Sequence, residues 1–507
     1  MTFMPRPSVP VIWITWDEAH IDTLSMYGAG THETKNVDSF ARRSHNYTNA
    51  YTASPVCLPA RCSMATGLMP HHTCSLGNIY GCALRNDLDH VFRLMHGQGY
   101  HTSVFGKCHF MPVAYPVTRP DVTFDGEHIL AYYRSLGIDT LVCQDDKNCS
   151  AWFYDDFGKA MELLRLMKPY RDARMDKRNG DVFAFPGPDD MHPDRWVADQ
   201  AIEYIKNTEN REEFIWVSFS GPHYPVDTPA SYTDRIDLSR LPPRKIRPGE
   251  WDDMTKLHAR SYHGPGVTEG SSFAPDGAQK NFTQEYWDRW QKGYRGNVLL
   301  LDDCLGDLLS AVYDKWGNDP LIVFTADHGD MSGHHGIWAK NSAAYEDVLR
   351  IPLIIHLPGQ TEGTAHGEYA SNLDLLPTTM KHAFGINITC DGRDAIEHDT
   401  APDVIFSEKD DQAAVIRDGI KLVLTRHRGQ MYQELYDLNK DPDEFENVFS
   451  RPEYRAAAGD LKSLLYEDGD RMRRVFYDGA GTPYYMAPPQ PGIDVCPDGR
   501  SDGEGEL

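Results

Sequence analysis

The sequence has no excess of basic residues, no hydrophobic run of membrane-spanning length and no paired cysteine spacing. Its 507 residues carry 50 Lys and Arg against 75 Asp and Glu, a formal net charge of −25. Nucleic acid as a main partner needs clustered cations, so this balance argues against DNA or RNA. It argues equally against docking on anionic lipid. The same field opposes an anionic substrate at long range, so an anion site here needs a local cluster of cations. No stretch approaches the roughly 20 apolar residues of a membrane helix. The run Val9–Trp16 is short, lacks a small-residue cleavage site and meets Asp17 at once, so it reads as a buried first strand rather than a signal peptide. The ten cysteines show no metal-ribbon pattern. Without a signal they are expected to be mostly reduced thiols, in a cytoplasmic protein.

What is present is ample core material: 40% hydrophobic and 11% aromatic residues, which excludes global disorder. Strand candidates at 10–16, 102–106, 213–219, 320–325 and 352–356 are apolar runs of the kind buried on both faces. Helix candidates at 37–44, 59–66, 87–97, 155–167, 196–207, 285–315 and 372–384 alternate with them. This order predicts an α/β fold, a doubly wound, mostly parallel sheet flanked by helices, over residues 1–385. Shorter strand candidates at 403–406, 412–417 and 420–425, then a helix at 452–474, predict a small C-terminal α+β domain with an antiparallel sheet over 386–475. The tail 476–507, rich in Pro, Gly and acid, reads as irregular and fits a contact in a dimer or tetramer. The Pro- and Gly-bearing stretch 225–284 reads as a functional loop, a lid over a site.

In such sheets function sits on loops beyond the carboxyl ends of strands. Asp17, Lys107, His223 and the Asp327-His328 pair all fall there. The sharpest local feature is Cys57-Leu-Pro-Ala-Arg61, followed by Thr66-Gly67. Pro59 suits a first helical position and Gly67 a C-terminal cap, which puts Cys57 just before a helix N-terminus, where anions are favoured. Arg61 would then sit in the first turn, against the helix dipole, a placement that makes sense if it faces an oxyanion. Taken singly these residues have plain readings too. Cys57 fits a buried thiol, Asp17 a turn cap, and most of the 22 histidines structural roles.

The Cys57 run resembles the sulfatase signature Cys-x-Pro-x-Arg with a following Thr-Gly, Ala65 standing where the family favours Leu. Four further segments match the same family in order. Thr15-Trp-Asp17-Glu18 with Asp22-Thr and Tyr27-Gly28 resembles its first metal-binding strand, with Glu18 where many members have Asp and His20 where many have Arg. Gly106-Lys107-Cys-His109 resembles its Gly-Lys-x-His element, and Ser220-Gly-Pro-His223 the strand that delivers a further histidine. Asp327-His328-Gly-Asp330, continuing to Gly336-Ile-Trp-Ala-Lys340, is the most specific match. His334 and His335 are read as supporting residues, because adjacent side chains rarely converge on one ion.

The resemblance implies an alkaline-phosphatase-like fold and cleavage of a small-molecule sulfate ester. It implies that a maturation enzyme converts Cys57 to formylglycine. One divalent metal ion, calcium first and manganese as the alternative, would be held by Asp17, Glu18, Cys57, Asp327 and His328. Arg61, Lys107 and Lys340 would neutralise sulfate oxygens, His223 or Lys340 would protonate the leaving alcohol, and His109 would take a proton to release sulfate. Asn78 is either an extra contact or a turn residue. The same resemblance leaves a phosphonate monoester or phosphodiester hydrolase as the nearest rival, and a silent metal-binding protein with unmodified Cys57 as a remote one.

Overall fold

The computed structural model describes residues 8–476 except 29–33, 80, 113–122, 148–149, 151, 177, 253–256, 258–282, 341–343, 398–401 and 428. The tail expected beyond 476, and much of the expected lid, lie outside the described residues. Strands β1 (Val11–Asp17), β2 (His45–Tyr51) and β3 (His101–Gly106) come first. Two short strands, β4 (Phe124–Asp125) and β6 (Phe153–Tyr154), pair with each other. Between them comes β5 (Thr140–Cys143). Then follow β7 (Glu213–Pro222), β8 (Leu321–Ala326), β9 (Leu353–His356) and β10 (Thr364–Ser371). The main sheet has eight strands in the order β10-β2-β9-β8-β1-β7-β3-β5. Only β9 runs against its neighbours, antiparallel to both β8 and β2.

The centre of this sheet is β1, held parallel between β7 and β8. All three strands are buried from end to end, as parallel strands covered by helices on both faces must be. Trp13 packs edge-on to Trp216 at 5.2 Å between ring centroids. Helices Pro193–Asn207 and Gln284–Trp316 lie together and cover part of the sheet. The register of β1 against β7 slips between Thr15 and Asp17, so that Asp17 pairs with Pro222. A slip of this kind re-aims a side chain at the end of a strand. At the end of β3, a Cβ on Gly106 would lie 2.0 Å from the carbonyl oxygen of Ser218, and φ there is +96°. Glycine is required for β3 to stay this close to β7 while the next residue, Lys107, donates its N–H to the same carbonyl at 2.8 Å.

The second sheet is an antiparallel meander of β11 (Val404–Lys409), β12 (Gln412–Arg417), β13 (Ile420–His427) and β14 (Gln430–Asp437). Alternation sorts its two faces. Ala413, Val415, Leu422 and Leu424 pack with Leu461, Leu465 and Val475 of the last two helices. Ala414, Ile416 and Val423 pack with Tyr51 and Leu349 of the larger unit.

The fold class is as the sequence predicts, and several local details differ. Strands β2, β4, β5, β6, β10 and β14 are not among the sequence candidates. The helix expected at 372–384 is a series of short turns of changing pitch. The helix expected at 452–474 breaks at Asp468 into Arg455–Glu467 and Gly469–Phe476. Among the described residues no helix is long and apolar enough to cross a membrane, and the cysteines are free thiols.

Candidate active site

Four strand ends and one helix start deliver the site. Asp17 closes β1, Lys107 follows β3, His223 follows β7, and Asp327 and His328 follow β8. Cys57 is the first residue of helix Cys57–Thr66, capped at the other end by Gly67 with φ 68°. The sequence placed the start at Pro59. Proline fits the third helical position equally well, because the first N–H groups of a helix have no partner within it. Arg61 is therefore in the second turn rather than the first. Asn78 accepts the N–H of Leu58 at 3.1 Å and so caps this helix from outside it.

Every residue singled out from the sequence for this site is buried, from Asp17 at 0% exposed, through Lys340 and His223 at 3%, to Asn78 at 8%. Cys57 Sγ lies 3.1 Å from His328 Nε2. The two Asp327 oxygens are spoken for: Oδ1 accepts the N–H groups of Glu18 at 3.1 Å and His328 at 2.9 Å, and Oδ2 accepts Arg61 Nε at 2.9 Å. Arg61 also donates to the Lys107 carbonyl at 2.9 Å and to Ser218 Oγ at 2.8 Å, and stands 3.7 Å from Asp17. Its Nε and Nη1 thus serve the protein's own acceptors, while Nη2 is left without a hydrogen bond. Lys107 pairs closely with Asp17 and lies 3.4 Å from Asp146.

A second cluster adjoins the first. Lys340 donates its backbone N–H to Glu18 Oε1 at 2.9 Å, and its ammonium lies 3.4 Å from Oε2 and 3.1 Å from His223 Nε2. The His223 ring nitrogen Nδ1 faces the carbonyl of Tyr224 at 2.5 Å. A carbonyl only accepts, so Nδ1 carries the hydrogen and Nε2 the lone pair that faces Lys340. His328 is arranged alike: Nδ1 donates to the Gly329 carbonyl at 2.9 Å, which leaves the Nε2 lone pair toward Cys57. That is the tautomer of a metal-ligating histidine.

Burial alone would raise the acids here. For Asp17 the combined pull of Lys107 and Arg61 wins, and its carboxyl ends below the ordinary range. For Asp327 burial is likewise outweighed, by Arg61, Lys107 and the N–H of Glu18, and the group is held far down. Glu18 goes the other way: burial pushes it up to about 8, against the pull of Lys340. Burial also pushes the Cys57 thiol up, with Asp17 adding to the shift. Burial, then Lys107 and Arg61, hold His109 well below the ordinary histidine value; burial, then Lys340, do so for His223. Both imidazoles are neutral.

The donor set fits a divalent cation. Asp17, Cys57, Asp327 and His328 each offer an atom within 4.8 Å of the others, and Asp17, Glu18 and His223 form an overlapping group. Asp17 Oδ2 is taken by the ion pairs with Lys107 and Arg61, whereas Oδ1 has no hydrogen-bond donor and faces His328 Nε2 at 3.9 Å. Buried carboxylate oxygens left open beside an imidazole suit a hard or borderline cation. His334 and His335 stay outside this set: His334 Nδ1 meets Asp347 at 2.7 Å and His335 pairs with Glu250.

Three participants escaped the sequence reading. Ser218 holds Arg61. Asp145 accepts the N–H groups of Cys108 at 2.9 Å and His109 at 2.8 Å, and so shapes the loop that presents His109 with φ 48°. Asp146 faces Lys107. Both acids follow β5, and recognising that strand would have flagged them. Of the lid expected over 225–284, residues 253–256 and 258–282 fall outside the described residues.

Comparison with known proteins gives the family and the fold. A family model described as Sulfatase matches residues 10–386. An arylsulfatase of Clostridium perfringens is 26% identical over 492 residues, covering 94% of this chain and 96% of that protein. A choline-sulfatase of Rhizobium meliloti is 27% identical over 370 residues, 68% of this chain and 61% of that one. Among solved structures, the phosphonate monoester hydrolase of Agrobacterium radiobacter superposes with a TM-score of 0.73 at 22% identity, covering 92% of this chain and 96% of that one; this likeness concerns the fold. Because the family model spans well over half of its length, the chain belongs to the sulfatase family.

Proposed function

We propose that this sulfatase hydrolyses a small sulfate monoester to alcohol and sulfate, with residue 57, matured from cysteine to formylglycine, as the nucleophile-bearing side chain. The observation that carries the proposal is the position of Cys57 Sγ, 3.1 Å from His328 and inside the buried ring of Asp17, Asp327, Lys107 and Arg61. Asp17, Asp327, His328 and residue 57 would hold one divalent ion, calcium first and manganese as the alternative. When bound, the ion supplies Lewis-acid charge against the sulfate oxygens and makes a hydroxyl on residue 57 easier to ionise. Maturation by a dedicated oxidising enzyme is part of this reading.

The chain's own residues divide the remaining work. Lys107 and Lys340 add positive charge where the transferring sulfuryl group becomes most negative. Arg61 keeps Asp327 in place. Lys340 carries the proton of the Lys340–His223 pair, since His223 Nε2 presents a lone pair. Lys340 therefore protonates the leaving oxygen and His223 orients it. Both Glu18 oxygens engage Lys340, so we assign Glu18 to holding that lysine rather than to the ion. His109, neutral and ringed by Lys107, Arg61 and Asp17, is the base that frees residue 57 of sulfate.

His109→Ala is expected to release one equivalent of alcohol per chain and then stall with sulfate bound to residue 57. A burst followed by intact-mass analysis checks this, and turnover at the parent rate would remove His109 from the mechanism. The proposal as a whole is tested by two measurements. The peptide holding residue 57 should weigh about 18 Da less than the cysteine form, the change that maturation to the aldehyde makes. Parallel kinetics on aryl sulfate, phenyl phosphonate and a phosphodiester should give the highest kcat/KM on sulfate. A cysteine-weight peptide in active enzyme would end the formylglycine reading, and a phosphonate preference would end the sulfate one.

A further inference from the structure

Outside the active site, two clusters of histidine and carboxylate have the composition of a metal site. The first is His20, His334 and Asp347. His20 Nδ1 accepts the N–H of Asp22 at 3.1 Å, so its hydrogen sits on Nε2 and points to Asp347 at 3.0 Å. With the hydrogen there, Nε2 has no lone pair for an ion, and this cluster is a hydrogen-bonded bridge.

The second cluster has the opposite polarity. His71 and His72 lie on the short helix Pro70–Thr73, one turn beyond the helix that carries Cys57. His71 Nδ1 faces Glu408 Oε1 at 2.5 Å, and His72 Nδ1 faces Asp391 Oδ2 at 2.6 Å. Glu408 is fixed in turn by Arg471 at 3.0 Å. Asp391 also accepts the N–H of Met69 at 2.7 Å. Carboxylates at Nδ1 are the partners that orient zinc-binding histidines. Both Nε2 atoms then turn to one acceptor, Asp468 Oδ2, at 2.8 Å from His71 and 3.9 Å from His72. Each of the three residues offers a donor atom within 4.8 Å of one on each of the others. Two ligands of a tetrahedral zinc ion sit roughly 3.4 Å apart, from bond lengths of about 2.1 Å, and the two observed separations bracket that value. The other Asp468 oxygen is occupied by the N–H groups of Asp470 and Arg471, both near 3 Å, so Oδ2 is held toward the rings.

We propose that His71, His72 and Asp468 bind a zinc ion that fastens the helix after the Cys57 segment to the C-terminal unit. Two imidazoles and one carboxylate make a donor set for zinc, and His71 and His72, although adjacent in sequence, both bring Nε2 toward the same Asp468 oxygen. Glu408, Asp391 and Asp468 against Arg471 leave a net charge that a divalent cation balances. His71 is fully buried, while the His72 side chain is 40% exposed and that of Asp468 29%. The ion is thus walled on one side and open to a water ligand on the other. This site is separate from the ion proposed for Asp17, Asp327 and His328.

The test is zinc content and affinity of the full chain, measured by equilibrium dialysis against Zn2+ with Ca2+ in excess. The expected result is one zinc per chain that persists in Asp327→Asn and is lost in His72→Ala. Asp391→Asn, which touches His72 and not the ion, should weaken binding about 10- to 100-fold. Melting in chelator shows whether His72→Ala folds like the parent; if it does not, Asp468→Asn replaces it. Zinc should raise the Tm of the parent and leave that of the variant unchanged. Zinc bound equally by the parent and a folded variant would overturn the site, as would a parent that takes up no zinc beyond the Asp327-dependent ion.

Discussion

Replacing Cys57 with alanine is expected to reduce sulfate-ester turnover to background while leaving the fold in place. The side chain is 1% exposed and lies at the first position of its helix. Alanine is a good helix former, and one missing sulfur atom costs about 1 kcal/mol of stability. Chemistry suffers far more. Enzymes of this kind accelerate hydrolysis by at least about a millionfold, and in the proposed reaction all of that passes through residue 57. A drop of about six orders of magnitude or more in kcat, with an unchanged circular dichroism spectrum and a Tm within a few degrees, is the anticipated pair of readings. Activity within tenfold of the parent would show that the nucleophile is elsewhere.

Arg61→Ala should damage the fold itself. The guanidinium is fully buried and joins Asp327, Ser218 and the Lys107 backbone, with Asp17 close by. Removing it strands a buried carboxylate, and breaking a buried pair from one side costs about 3–5 kcal/mol. Urea unfolding of the metal-free protein measures the loss. Arg61→Lys should restore little, because a single ammonium cannot reach a carboxylate, a hydroxyl and a carbonyl from one rigid fork. A loss below about 1 kcal/mol would mean that Asp327 finds other partners, and the account of Arg61 as its support would fall.

The sequence displayed the centre of the main sheet and obscured its margins, for a physical reason. Val11–Trp16, Phe214–Phe219 and Leu321–Ala326 are buried on both sides and so are written in apolar residues. β2, reading His-Asn-Tyr-Thr-Asn-Ala-Tyr, owes its place to pairing with β9 and β10 and carries no such pattern. β5 has four residues, three of them half-buried. The candidate site was legible because its residues follow the most apolar strands. Resemblance to a family, rather than spacing, then told Asp327 from the many other acids of this chain. What Arg61 touches could not be read, since its partners arrive from β1, β7 and β8, far away in sequence.

The seclusion of Cys57 sets an order of events. Its sulfur lies beneath helix and sheet, with His328 pressed against it, and no second protein can work on a thiol it cannot reach. For the maturation proposed above, an oxidising partner therefore has to meet this segment as an extended chain, in the interval between synthesis and closure of the sheet. The yield of competent enzyme becomes a contest between two clocks. Conditions that speed folding, or that starve the oxidant, would fill the cell with chains that are well formed and permanently inert.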